Sequence, residues 1–194
     1  MDKTLKKSKK HISSNSCKIT PIQIISYQLT RNAIESAQRW IDKAKSNSDK
    51  TLISEIDKFF SLYISYNILY SLISNKKNGD KCSAVHVIAK YIRDNNIKSF
   101  ANHNINILEM LKPIREHIIF HIYGETRDFE LIENIDNNID LEESVLDILY
   151  GIRCNMFHGE KDLTENQLLL LSPANKILET LLDDLIISIT KDWN

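Results

Sequence analysis

The sequence predicts an all-α fold, a helical bundle of four to six helices, and three observations carry that expectation. Apolar residues recur at helical spacing through most of the chain. No stretch keeps up the apolar–polar alternation of a half-buried strand. Only 4 Gly and 3 Pro occur in 194 residues, too few for a turn-rich β architecture but compatible with long uninterrupted helices. The length suits one domain with a real core, and 42% hydrophobic with 26% charged residues is ordinary for such a domain. The expected organisation is a basic tail over residues 1–19 and a single helical domain over residues 20–194.

The tail holds six lysines and few apolar side chains, so it is expected to be disordered and solvated, with some affinity for phosphate backbones. From Pro21, a residue suited to a first helical turn, Ile22, Ile25, Leu29, Ile34 and Ile41 mark an apolar stripe. A second helix is expected from about Leu52 to Ser74. It is apolar nearly all round, as the central helix of a bundle would be. "NKKNGD" (75–80) reads as a turn, and a third helix runs through Val85, Ile88, Ala89 and Ile92. Residues 98–123 look helical, interrupted at Pro113.

Residues 125–147 carry nine acids against Arg127 alone, which predicts an irregular or short helical connection with a solvated acidic face. A well-marked helix follows. Asp140 stands at the N-cap position with Glu143 three residues on, a capping-box arrangement. Leu141, Val145, Ile148, Leu149, Ile152 and Met156 form its apolar stripe, and Gly159 stands where a glycine ends a helix. A last helix, rich in Leu and Ile, is expected from about Glu165 to Ile189.

Several classes of function are excluded or narrowed by composition. A net charge of −1 rules out a chain-wide basic field, so any grip on RNA has to come from a local patch. Cys17, Cys82 and Cys154 form neither a zinc spacing nor a disulfide framework, which fits a reducing cytoplasm. The N-terminus lacks the apolar core of a signal peptide. The most apolar run, "FFSLYISYNILYSLI" (59–73), is too short to span a bilayer, so no membrane association is expected.

The candidate site is "GIRCNMFHGEK" (151–161), where Arg153 and His158 stand with four residues between them. In a continuous helix residues five apart differ by about 140° around the axis and would not share a face. A helix that ends at Gly159 frees His158 to fold back toward Arg153, and Asn155 could orient either group. The residue types suit RNA cleavage. A permanently charged planar guanidinium matches phosphate oxygens, and an imidazole gives or takes a proton near neutral pH. No cofactor or metal is needed for that chemistry. One chain supplies one such histidine, whereas the reaction has two proton-transfer roles, so a two-fold dimer would complete the site. With 6 Arg and 6 His in the chain, chance alone supplies roughly half such a match, so the spacing by itself decides little. A second match, Arg115 to His121 in "REHIIFH", lacks a terminating glycine. His117 and His121 lack a third metal ligand.

"LYGIRCNMFHGEK" resembles the signature of HEPN domains, all-α RNase and nucleotide-binding domains of prokaryotic toxins and defence systems. "FFSLYISYNILYSL", with Asn67 and Tyr70 in an N-x-L-Y element, is similar to the family's early helix, and "LLLLSPANKILETLLDDLI" to its final one. Most of residues 50–190 is covered, loosely outside the motif. The resemblance implies a metal-independent endoribonuclease acting as a homodimer, with Arg153 and His158 catalytic, Asn155 supporting, RNA as substrate and an antitoxin or defence protein as partner. Two positions depart from the pattern. Cys154 stands where the family usually has a polar residue, and Glu160 stands where one subgroup has a modified tyrosine. Two other readings remain open: a non-catalytic HEPN-like module that binds a nucleotide, RNA or a helical partner through the same basic pair, and a purely structural role in which Arg153 and His158 cap the end of a helix.

Overall fold

The structure is a computed structural model that describes residues 21–47, 49–74, 78–97, 140–157 and 167–191. It is an all-α bundle, and no strand occurs among the described residues. The helices are α1 (Pro21–Ser46), α2 (Leu52–Ile73), α3 (Asp80–Cys82), α4 (Ile88–Asp94), α5 (Leu141–Phe157) and α6 (Leu168–Thr190). A π-helical turn, Ser83–Val87, joins α3 to α4 without a break. Among the described residues no helix is long and apolar enough to cross a membrane. The expected tail, the helical reading of 98–123 and the Arg115–His121 match lie outside the described residues.

Helix α1 buries Ile34, Ala37, Ile41 and Ala44, a 3–4–3 stripe. Its two alanines are completely buried, so small side chains complete the face that α1 turns to the core. Leu29 is 64% exposed rather than part of this stripe. It precedes Ile34 by five residues, which turns it about 140° away. The outer face is laced by i,i+4 pairs, Arg31–Glu35 among them. Ser54 locks the turn into α2, donating to Asn47 Oδ1 (2.6 Å) and to the Asp49 carbonyl (2.7 Å). Thr51 caps the helix by accepting from Ser54 N.

Helix α2 is the centre of the bundle, as its all-round apolar character predicts, with α1, α6, the π turn and α4 around it. Phe59, Leu62, Tyr66 and Leu69 are fully buried. Tyr63, Tyr66 and Tyr70 continue from Phe59 as a ladder of rings 5.3–5.8 Å apart. Tyr66 donates its hydroxyl proton to the Ala84 carbonyl in the π turn. Helix α4 ends in a Schellman motif, with Asn96 at φ 48 and the Ile97 N–H returning to the Ile92 carbonyl.

Helix α5 buries Leu141, Val145, Ile148, Leu149 and Ile152, the stripe read from the sequence. Its acidic side is not left to solvent. Asp147, Glu143 and Glu142 meet Lys81 (2.7 Å), His86 (2.8 Å) and Arg93 (3.6 Å) across an antiparallel pairing with α3–α4. Glu143 therefore points to His86, in place of the capping-box return to the start of its own helix. Helix α6 packs Leu171, Ile177, Leu178, Leu181, Leu182 and Leu185 into the core, to which every described helix but the short α3 contributes.

Candidate functional site

Arg153 lies in the last described turn of α5, one helical step from Tyr150 (i−3) and Phe157 (i+4). Those spacings put both rings on its side of the helix. The guanidinium carbon is 5.7 Å from the Tyr150 ring centroid and 4.9 Å from that of Phe157. Helix α2 supplies a third ring, Tyr63, at 5.9 Å. Three ring faces therefore hold the cation by their quadrupoles.

Its polar contacts are weak by comparison. Nη1 lies 3.8 Å from the Cys154 thiol, a poor acceptor. Nη2 lies 3.9 Å from Asp80 Oδ2, an ion pair too long for a hydrogen bond. Nε is buried and makes no hydrogen bond. Burial pulls the Arg153 pKa down, but the Cys154 contact, Tyr63 and Asp80 more than offset it and the net direction is up. The side chain, 26% exposed, is thus a fixed positive charge with unspent donors.

Asp80 is the acid of the site. It begins α3, and its carboxylate accepts from the Tyr70 hydroxyl on Oδ1 (2.5 Å) and from the Tyr150 hydroxyl on Oδ2 (3.2 Å). Both tyrosines are made harder to ionise. Burial pushes Tyr150 up to about 12, with Cys154 and Asp80 adding to it. Burial, then the bond to Asp80, raises Tyr70 further. Neutral phenols thus hold the carboxylate near Arg153.

Beside the guanidinium opens a cleft of about 150 Å³, lined by Phe60, Tyr63, Ile64, Asn67 and Ile68 of α2 with Arg153 and Phe157 of α5. Phe60 meets Phe157 edge to face at 4.8 Å. Asn67 and Tyr70, the two polar positions of the N-x-L-Y element, thus belong to the surroundings of Arg153.

His158, Gly159 and Glu160 lie outside the described residues, and with them the helix end expected at Gly159. Asn155 is described, but α5 remains α-helical through Phe157. Two residues along a helix turn by about 200°, so Asn155 does not share the side of Arg153. The partners found around Arg153 in its place are Tyr63, Asp80, Tyr150 and Phe157. Tyr150 and Phe157 carried a readable signal in their i−3 and i+4 spacing. Asp80, 73 positions before Arg153, carried none. Among the described residues no group of three or more His, Cys, Asp or Glu could hold a metal ion. In comparisons with protein-family models, curated proteins and solved structures, nothing matches this chain.

Proposed function

We propose that the chain is a HEPN-like, metal-independent endoribonuclease of a toxin–antitoxin or anti-phage defence system, working in the cytoplasm as a homodimer. The observation that carries this reading is the state of Arg153: a guanidinium held by three rings, short of strong acceptors, at the mouth of a cleft. The meeting of the motif helix with Tyr63 and Asn67 of α2 supports the same reading, because these are two of the three segments that carry the family resemblance.

In the proposed reaction a base takes the proton of an RNA 2′-hydroxyl, and the oxygen attacks the adjacent phosphorus. The bond from phosphorus to the 5′ oxygen breaks, and an acid protonates that oxygen. The products are a 2′,3′-cyclic phosphate and a 5′-hydroxyl end. Arg153 steadies the charge on the pentacovalent phosphorus, a role typically worth about 10²–10³-fold. His158 supplies one proton transfer, worth roughly 10²–10⁴-fold, and its copy in a second protomer supplies the other. Asn155 is assigned a supporting role outside the immediate Arg153 shell. The test is cleavage of RNA by wild type and His158→Ala in EDTA. The reading fails if wild type leaves every RNA intact or the variant cuts equally well.

One observation favours a second reading, a HEPN-like module that binds RNA or a nucleotide without turnover. Asp80 and Cys154 both already approach the guanidinium, where a catalytic arginine is better left to the phosphate alone. Saturable binding of labelled RNA with no product, lost in Arg153→Ala, would select it.

A further inference from the structure

The cleft beside Arg153 is more than a gap next to a charge. Phe157, in the last described turn of α5, is 57% exposed, an unusual cost for an aromatic side chain. Its ring is nonetheless held, edge to face against Phe60 and beneath the Arg153 guanidinium. A ring fixed on two sides and open on the rest is a preorganised stacking platform. Asn67, exposed on α2, adds an amide that can both give and accept hydrogen bonds at the same opening. Its carbonyl oxygen accepts a long 3.3 Å bond from the Ser71 hydroxyl, an exposed contact one turn along the same helix. The cleft, about 150 Å³, is well below the roughly 300–1,000 Å³ of a pocket for a drug-sized ligand. A single flat ring is what such a space takes.

We infer that this cleft is a base subsite for single-stranded RNA. One unstacked base lies against Phe157 with Phe60 behind it, Asn67 reads the hydrogen-bonding edge of that base, and Arg153 receives the neighbouring phosphate. This rests on the RNA-directed reading above and adds substrate form and specificity to it. A base paired inside a duplex cannot enter, because both its faces and its pairing edge are occupied. Ring stacking tolerates every base, so the platform gives affinity and Asn67 gives preference.

The experiment measures binding of fluorescently labelled RNA by anisotropy in the full-length His158→Ala chain, so that cleavage does not consume the probe. The probes are single-stranded homopolymers of U, C and A and a perfect duplex of equal length. Single strands should bind at least tenfold tighter than the duplex. Phe157→Ala should weaken single-strand binding by roughly tenfold or more, the loss of one base stack, while Phe157→Trp retains it. Asn67→Asp, which removes the donor, should change the ranking of U, C and A. Phe157 is exposed, so its truncation leaves the core untouched, and a melting curve for each variant checks this. Duplex binding equal to single-strand binding, or single-strand binding unchanged in Phe157→Ala, overturns the inference. Failure of the catalytic reading looks different: wild type would cut no RNA, while binding through Phe157 would remain.

Discussion

Helix α2 carries two polar sites about 12 Å apart along its axis, as the 1.5 Å rise per residue sets the distance from Glu55 to Tyr63. At the first, Glu55 and Asn175 are both buried, and one amide nitrogen of Asn175 reaches the Glu55 carboxylate (2.6 Å) and its backbone carbonyl (3.0 Å). At the second, Tyr63 and Asn67 face Arg153 across a cleft, and the guanidinium has ring faces where it could have had carboxylates. The first pair ties α6 to α2 and offers nothing to a ligand. The second leaves a charge unspent and open. Two polar contacts on one helix thus differ in what they admit: neither water nor ligand in one case, a ligand in the other.

The largest expected effect separates the two sites outright. Arg153→Ala should lower RNA cleavage in EDTA by about 10²–10³-fold, with Tm altered by no more than about 3 °C. Unchanged cleavage in this variant would break the contrast. Asn175→Ala should do the reverse. It strips a buried carboxylate of its donor, at a cost of about 3 kcal/mol, or roughly 6–12 °C in Tm for a chain of this size, with cleavage per folded molecule intact. Calorimetry on both variants, beside the cleavage assay, checks the pair of outcomes.

A smaller effect appears at alkaline pH. Burial, with help from Cys154 and Asp80, lifts Tyr150 from the ordinary value near 10 to about 12. A raised folded value means stability that is complete below pH 10 and lost as pH climbs toward 12. Thermal melting across that window should fall less steeply in Tyr150→Phe than in wild type. An equal slope would remove Tyr150 from the Asp80 cluster. The smallest effect concerns Cys154. Cys154→Ser replaces a poor acceptor with a better one beside Nη1, where it competes with a phosphate for the guanidinium, and should lower cleavage two- to fivefold, on the order of 0.5–1 kcal/mol. A gain in rate would instead show that a polar neighbour orients the guanidinium rather than competing for it.

Much of the fold was legible because its helices bury regular stripes. Helix α5 was readable down to individual core residues, and α2 was recognisable as central by being apolar all round. In α1 the large aliphatic residues alone trace a stripe through Leu29, whereas the buried face is completed by Ala37 and Ala44, whose small side chains give a weak signal in the sequence. Acids of α5 read as solvated because their partners Lys81, His86 and Arg93 come from a segment 49 to 66 residues earlier, and nothing local reveals such a pairing. The same holds at the site. Arg153 was found from its motif, and Tyr150 and Phe157 follow from helical spacing. Tyr63 and Asp80 reach it only through the packing of α2 and α3 against α5.

The π turn at Ser83–Val87 gives the chain a mechanical sensitivity to length. Five residues there do what a regular helix would do with about four, so the turn holds one residue more than α-helical continuity needs. Removing that residue would let α3 and α4 fuse, and would swing Asp80 by about 100° and 1.5 Å relative to Ile88 and Ile92, which are anchored in the core. Tyr70 and Tyr150 would lose their shared carboxylate, and Arg153 its only nearby acid among the described residues. A single-codon deletion in this segment would therefore act as a switch on the charge of the site, with Ala84 and Val85 re-seated in the core. In descendants of this chain the length of that turn, more than the identity of its residues, is what would record whether the acid is still engaged.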